Sequence, residues 1–155
     1  MISLQKITSE NCFDICELEA DERFVAPNED SLIEAYANFV ENGHGPVAFG
    51  IYHDDTPVGF IMAEYCNGEE DDSIGEPYYY LWRMMIDNDH QGKGHGRAAL
   101  EQFLDVIRTF PLGRAKKILT SIVPDNIPAT RLYESLGFRK NNIMFDEEEG
   151  MELVL

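Results

Sequence analysis

Seven residues, Gln91-Gly92-Lys93-Gly94-His95-Gly96-Arg97, carry the types and spacing that hold an anion. Three glycines at alternate positions can adopt positive φ and have no Cβ to keep a ligand off the backbone. Ahead of them runs Tyr80-Leu81-Trp82-Arg83-Met84-Met85-Ile86, apolar enough for a strand buried on both faces. Behind them, Leu100, Phe103, Leu104 and Ile107 fall on the i, i+3, i+4, i+7 stripe of an amphipathic helix. That helix would turn four unpaired N–H groups and its positive dipole end toward the glycine turn. With Lys93 and Arg97 at the mouth, a diphosphate is the natural guest.

Two familiar diphosphate turns do not fit. The Walker loop needs a Gly-Lys-Ser/Thr ending that is absent, and in a Gly-x-Gly-x-x-Gly turn counted from Gly92 the last glycine would fall on Arg97. What fits is Gln/Arg-x-x-Gly-x-Gly/Ala, here Gln91, Gly94 and Gly96, following a strand that ends in Ile86-Asp87. This resembles the acetyl-CoA pyrophosphate loop of the GNAT acyltransferases. A second segment, Asn126-Ile127-Pro128-Ala129-Thr130-Arg131-Leu132-Tyr133-Glu134-Ser135-Leu136-Gly137-Phe138, is similar to the Asn-x-x-Ala-x-x-x-Tyr-x-x-x-Gly-Phe segment of the same superfamily at every defined position. Taken singly, Asn126 would read as a helix cap and Tyr133 as a packed member of the stripe Ala129, Leu132, Tyr133, Leu136; the joint spacing raises both above that. Within the superfamily, Phe24 to Asn28, Ser31-Leu32 and Leu81 to Asp87 resemble bacterial diamine or spermine/spermidine acetyltransferases.

The resemblance implies an α/β fold with a central mixed sheet, flanking helices and two parallel strands that splay to admit acetyl-CoA as co-substrate. It implies pantetheine pairing with backbone at Met84, Met85 and Ile86. The diphosphate would rest on the loop opened by Gln91, on N–H groups of Gly92, Lys93, Gly94, His95, Gly96 and Arg97. Asn126 would contact the CoA arm, and Tyr133 would protonate the departing thiolate. An amine would attack the thioester directly in a ternary complex, so Cys66 is read as filler rather than nucleophile.

A primary ammonium has a pKa near ~10.4, so roughly one molecule in a thousand is neutral at pH 7, a cost of about 4 kcal/mol that a general base must meet. Many polyamine acetyltransferases place a carboxylate just before the apolar triplet of the central strand. Here Trp82 and Arg83 occupy those places. Glu64 and Glu76 could act as bases through water, with Tyr80 a third candidate, and Trp82 could form an apolar or cation–π wall.

The elements that must position these residues can be traced along the chain. A strand over residues 2–7 leads to a helix capped by Thr8 or Ser9 and running to about Ala20. A second helix starts at Asn28 or Asp30, presents Leu32, Ile33, Tyr36, Phe39 and Val40, and ends at Gly43. Val47–Tyr52 and Val58–Glu64 form a hairpin, and Gly68–Ser73 is an acidic solvated loop. Lys117–Val123 is a buried strand; after the helix of the second motif, Phe138–Phe145 and Met151–Leu155 close the sheet.

With 155 residues, 44% of them hydrophobic, the chain suits a single domain over 1–155. Cys12, Cys16 and Cys66 have no metal or redox spacing, no metal is expected, and reduced cysteines suit a cytoplasm. Met1–Lys6 lacks the apolar stretch of a signal peptide, and no run is long enough to span a membrane. Twelve basic against 29 acidic residues, formally −17, argue against nucleic acid and anionic membrane as partners. The same charge would steer a small cationic amine inward. Alternatives are acetylation of a protein N-terminus or lysine, and a non-catalytic acyl-CoA sensor on the same scaffold. A homodimer is one arrangement left open.

Overall fold

A computed structural model describes residues 1–69 and 74–155. Its seven strands are β1 (Ile2–Lys6), β2 (Val47–His53), β3 (Thr56–Cys66), β4 (Tyr78–Ile86), β5 (Lys117–Ile122), β6 (Arg139–Phe145) and β7 (Glu148–Val154). The helices are α1 (Cys12–Cys16), α2 (Asn28–Asn42), α3 (His95–Ile107) and α4 (Ile127–Ser135). One sheet runs in the order β1-β2-β3-β4-β5-β7-β6. Every pairing is antiparallel except β4 with β5. This is the mixed sheet with flanking helices that the sequence led us to expect.

The one parallel pairing is short. It joins Tyr79 to Ile118, Tyr80 to Leu119 and Leu81 to Thr120, and then stops. Past that point β4 stays paired with β3 as far as Ile86, so its other edge is unpaired from Trp82 onward. The cause lies on the β3 side. Met62 faces Arg83 while the next residue, Ala63, faces Leu81, so Trp82 is the extra residue of a bulge. A bulge bends its strand and sharpens the twist, and here it comes one residue after the last bond to β5. Thr120 donates its hydroxyl to the Leu81 carbonyl at 3.2 Å, satisfying the backbone at the fork.

Two cores sit on the two faces of the sheet. One gathers Tyr79, Leu81, Ile118, Phe138 and the α3 residues Ala99, Leu100, Phe103, Leu104 and Ile107, which include the expected stripe. The other joins Ile15 of α1 to Tyr52, Phe60, Met62 and Met85, with Trp82 and Leu32 packed against it. Because of the bulge, Met84 and Ile86 share the α3 side with Tyr79 and Leu81, while Met85 points to the α1 side.

Three local expectations need correcting. The first helix is five residues, not twelve. The acidic segment after it is drawn to the end of β4, where Glu19 N–H donates to Asp87 Oδ1 at 3.0 Å and Asn88 N–H to the Glu19 carbonyl at 2.9 Å. The apolar side of α2 is not the side it buries: Ile33, Tyr36, Phe39 and Val40 are exposed, while Asn28 and Ser31 are buried. Asn28 earns its place by donating to the Ile15 carbonyl at 2.8 Å. The last strand begins at Glu148, three residues earlier than Met151. Of the expected Gly68–Ser73 loop, residues 70–73 lie outside the described residues. No helix among the described residues is long and apolar enough to cross a membrane.

Gly59 holds the free end of β4 in place. It pairs with Ile86, and a Cβ added there would come inside 3 Å of the Met85 carbonyl oxygen and the Ile86 side chain. Gly59→Ala should therefore cost about 1–3 kcal/mol of stability, the usual range for overpacking. Urea unfolding that gives the wild-type midpoint would show that β4 can shift freely at this point.

Candidate active site

The fork between β4 and β5 opens into two cavities. The first, about 480 Å³, runs along Met84–Ile86 and the turn from His90 to Arg97, roofed by Ala20, Phe24 and the α4 residues Pro128, Ala129 and Leu132. The second, about 410 Å³, is lined by Tyr80–Arg83, Thr120–Val123, Glu148 and the connector Glu22–Ala26. Phe24, Val25, Met84, Asn126, Ala129 and Tyr133 line both. Tyr133 therefore stands where the two cavities meet.

The first cavity has the features an extended diphosphate ligand needs. The β4 edge has no strand partner on the β5 side from Trp82 to Ile86. Gly92 and Gly94 take φ of 72° and 81°, and nothing lies within 4 Å of where their Cβ atoms would be, so the turn is open to a close approach. Gly94 is the residue before α3, which begins at His95 and aims its unpaired N–H groups the same way. Gln91 ties the turn to the strand by donating from Nε2 to the Ile86 carbonyl at 2.9 Å.

Some expected details differ. Gly96 is helical and not at positive φ; an added Cβ would make ordinary contacts with Ile86, Leu132 and Met84 at 3.5–3.6 Å. Its place follows from α3 packing close to β4. Lys93 folds back to donate to the Asp89 carbonyl at 2.8 Å. Arg97 donates to Ser135 Oγ at 2.7 Å and pairs with Glu101 at 3.1 Å, so its charge is shared with α4 and α3. The His95 ring lies 4.8 Å from His53, and burial, then that neighbour, lowers its pKa.

At the junction, Asn126 caps α4, its Oδ1 accepting from Ala129 N–H at 3.3 Å. Tyr133 is 7% exposed, and the Met84 sulfur at 4.0 Å is a weak partner for its hydroxyl. Burial pushes its pKa up to about 12, against a smaller opposing pull from Thr120. The phenol is thus fully protonated at neutral pH and holds a proton it can give.

In the second cavity, Tyr80 Oη lies 2.6 Å from Ser121 Oγ, and Ser121 Oγ donates to Glu148. Burial raises the Tyr80 pKa, with the Ser121 hydrogen bond opposing and Glu148 adding to it. The Trp82 ring already has a cation over it: the Arg83 guanidinium, 5.2 Å from its centre, which also pairs with Glu34 at 3.2 Å. Arg83 Nε is buried without a hydrogen-bond partner.

The two expected bases part company. Glu64 is half-buried and sits opposite Tyr80 across the β3–β4 ladder, so both side chains leave the same face. Burial raises its pKa, with Arg83 pulling the other way. Glu76 is tied to Lys116 at 2.9 Å and Lys117 at 3.8 Å, and the Lys116 hydrogen bond lowers its pKa. It lines neither cavity. Glu64 lies beside Tyr80, which lines the second cavity, but like Glu76 it lines neither cavity itself. Glu148, which lines the second cavity, is not among the expected site residues: it precedes the expected strand start at Met151, where Gly150, Glu152 and Val154 give no clear apolar alternation. Among the described residues, no group of three or more His, Cys, Asp or Glu side chains is gathered as for a metal.

The chain is similar to known proteins in sequence and in fold. Residues 12–138 match the acetyltransferase (GNAT) family. The chain is 32% identical over 158 residues to a spermine/spermidine N(1)-acetyltransferase of Bacillus subtilis (strain 168), covering 97% of this chain and 96% of that protein. It has the same identity and coverage against a probable spermine N(1)-acetyltransferase of Bacillus subtilis subsp. natto (strain BEST195). Among solved structures, the PaiA N-acetyltransferase of Thermoplasma acidophilum in complex with coenzyme A superposes with a TM-score of 0.70 at 14% identity, covering 100% and 99% of the two chains. The ribosomal-protein-S18-alanine N-acetyltransferase of Escherichia coli gives 0.69 at 19%, covering 99% and 94%. At such identities these two structures speak for the fold alone, whereas the family match spans most of the chain. The chain belongs to the acetyltransferase (GNAT) family and is an acetyl-CoA-dependent acyltransferase.

Proposed function

We propose that the protein acetylates a primary amine of a polyamine or diamine, with acetyl-CoA in the first cavity and the amine in the second. The observation that carries this reading is the meeting of the two cavities at Tyr133. The whole-length similarity to the two Bacillus subtilis proteins supports the acceptor class, and so does the formal charge of −17.

Acetyl-CoA supplies the activated acetyl thioester. In the proposed arrangement the backbone of Met84, Met85 and Ile86 pairs with the pantetheine arm. N–H groups of the Gln91–Arg97 turn, notably at Gly92 and Gly94, hold the diphosphate, and Asn126 borders the arm at the junction. The amine nitrogen reaches the thioester carbon from the second cavity and attacks without an acyl-enzyme. Tyr133 gives its proton to the departing thiolate. With its pKa pushed up to about 12, Tyr133 keeps its proton at neutral pH and so has one to give to the departing sulfur. Glu64, expected to work through water, contributes negative charge beside Tyr80 that draws the ammonium inward. Glu76, neutralised by two lysines, has no part in the proposal.

The acceptor is tested by thiol release from acetyl-CoA across a panel of spermine, spermidine, diamines, neutral amines and peptides. Polyamines should lead, and their kcat/KM should fall steeply between about 10 mM and 150 mM salt, as the Debye length shrinks from ~30 to ~8 Å. A neutral amine or peptide used as well as spermidine, without salt dependence, would refute the acceptor class.

Tyr133→Phe keeps the ring and loses only the hydroxyl. The kcat should drop by roughly 10²–10⁴-fold while acetyl-CoA affinity and thermal stability change little. A rate within a few-fold of wild type, with chemistry rate-limiting, would return Tyr133 to a packing role.

Glu64 can be tested by stability alone. Its raised pKa means the unfolded chain ionises first, so folding loses stability as pH rises through the ordinary glutamate range, and the loss is complete above the folded pKa. Glu64→Gln removes that loss. Its melting temperature should match wild type near pH 4 and exceed it at pH 8; a constant difference across that range would contradict a buried, ionising Glu64.

A further inference from the structure

The reaction needs somewhere for the ammonium proton to go, and the second cavity contains one continuous chain of hydroxyls ending at a carboxylate. Ser121 Oγ has a single hydrogen, and it is donated to Glu148. An ionised carboxylate only accepts, so this direction is fixed. The 2.6 Å contact between Tyr80 and Ser121 must then have Tyr80 as donor. With its own hydrogen pointed at Ser121, Tyr80 Oη presents lone pairs to the cavity it lines. A lone pair at the mouth and a carboxylate at the far end is the polarity required to take up a proton.

The surroundings keep that carboxylate available. Among the described residues no lysine or arginine is paired with Glu148, whereas the neighbouring Glu149 is paired with Lys140 at 2.7 Å. Arg83 is engaged by Glu34, and Arg23 by Asp21. The Phe145 ring, 5.3 Å from the Tyr80 ring, packs one side of the chain. The other ionisable groups facing Tyr80 and the cavity are Glu64 from β3, Tyr133 from α4 and Glu22 and Arg23 from the connector.

We propose that Tyr80, Ser121 and Glu148 form the proton exit of the acceptor site, with Glu148 as the final base. This rests on the reading of the second cavity as the amine site. One ammonium N–H proton passes to Tyr80 Oη as the Tyr80 proton passes to Ser121 Oγ and the Ser121 proton to Glu148. The products are a neutral amine and a protonated Glu148, which returns its proton to solvent after turnover. The amine lone pair then forms the C–N bond. The second N–H proton, lost as the amide forms, replaces the one Tyr133 gives to the thiolate. Tyr80 would touch the substrate; Ser121 and Glu148 act through it.

The test is the pH dependence of kcat/KM in Glu148→Gln, Ser121→Ala and Tyr80→Phe, with the best amine from the panel. Gln at 148 still accepts from Ser121 but takes no proton. Each variant should lose roughly 10²-fold or more at pH 7, and the deficit should close as pH approaches the amine pKa of ~10.4, where the substrate arrives neutral. Double variants should be no slower than the worst single one, because one chain is broken only once. Acetyl-CoA affinity, unchanged throughout, reports that each variant is folded; should Glu148→Gln fail this check, Ser121→Ala breaks the same chain in its middle. A deficit constant at every pH, or rates within about threefold of wild type, would overturn the proposal. So would a Glu64→Gln variant that shows the pH-closing deficit while Glu148→Gln does not. A wild-type enzyme that uses another primary amine but no polyamine would refute the acceptor assignment alone, and the chain would then be judged on that amine.

Discussion

Everything at the active site depends on one residue too many in β4. Trp82 has no counterpart on β3, and the strand accommodates it by bending just after its last bond to β5. Without the bulge, a parallel pair of such apolar strands would zip on to Met84 and Val123, closing the fork between them. With it, the sheet keeps its antiparallel continuity on the β3 side and releases an edge on the other. An exposed edge in a buried setting leaves unsatisfied N–H and C=O groups, which is costly unless something pairs with them. In the proposed arrangement that cost is met by the amides of the pantetheine arm rather than by protein.

The bulge also changes which side chains face where. Tyr79 and Leu81 point to the α3 core, and a regular strand would send Arg83 and Met85 after them. Instead Met84 and Ile86 take that side, and Met85 joins Ile15 and Phe60 on the other. Met84 is thereby placed under Tyr133, and Arg83 beside Trp82 and Glu34. A single phase shift thus sorts the side chains of the strand's second half between the two faces of the sheet.

How much of this could be read from the sequence follows from the same physics. Glycines with a strand before and a helical stripe after announce a ligand turn, because few other uses need that combination, and Gly92 and Gly94 do stand open. The α4 segment was equally plain from Asn126 through Gly137. The bulge was not legible, since an unbroken apolar run from Tyr78 to Ile86 hides its period when both faces are buried. Glu148 was hidden for the opposite reason: the strand it starts is too polar to declare itself. The apolar residues of α2 misled, because helical spacing shows that a face exists and not that anything covers it. Glu76 and Glu64 were equivalent as letters near strand ends. Only the position of Lys116 and Lys117 separated them.

The two cavities have different linings and share only the residues around Tyr133. With the two ligands placed as proposed, each has a lining of its own beyond the six shared residues. Such a division suits a random sequential system, in which CoA as a product would compete with acetyl-CoA and the acetylated amine with the amine. An enzyme so arranged responds to the ratio of acetylated to free CoA independently of how much acceptor is present, because the two occupancies multiply without one gating the other.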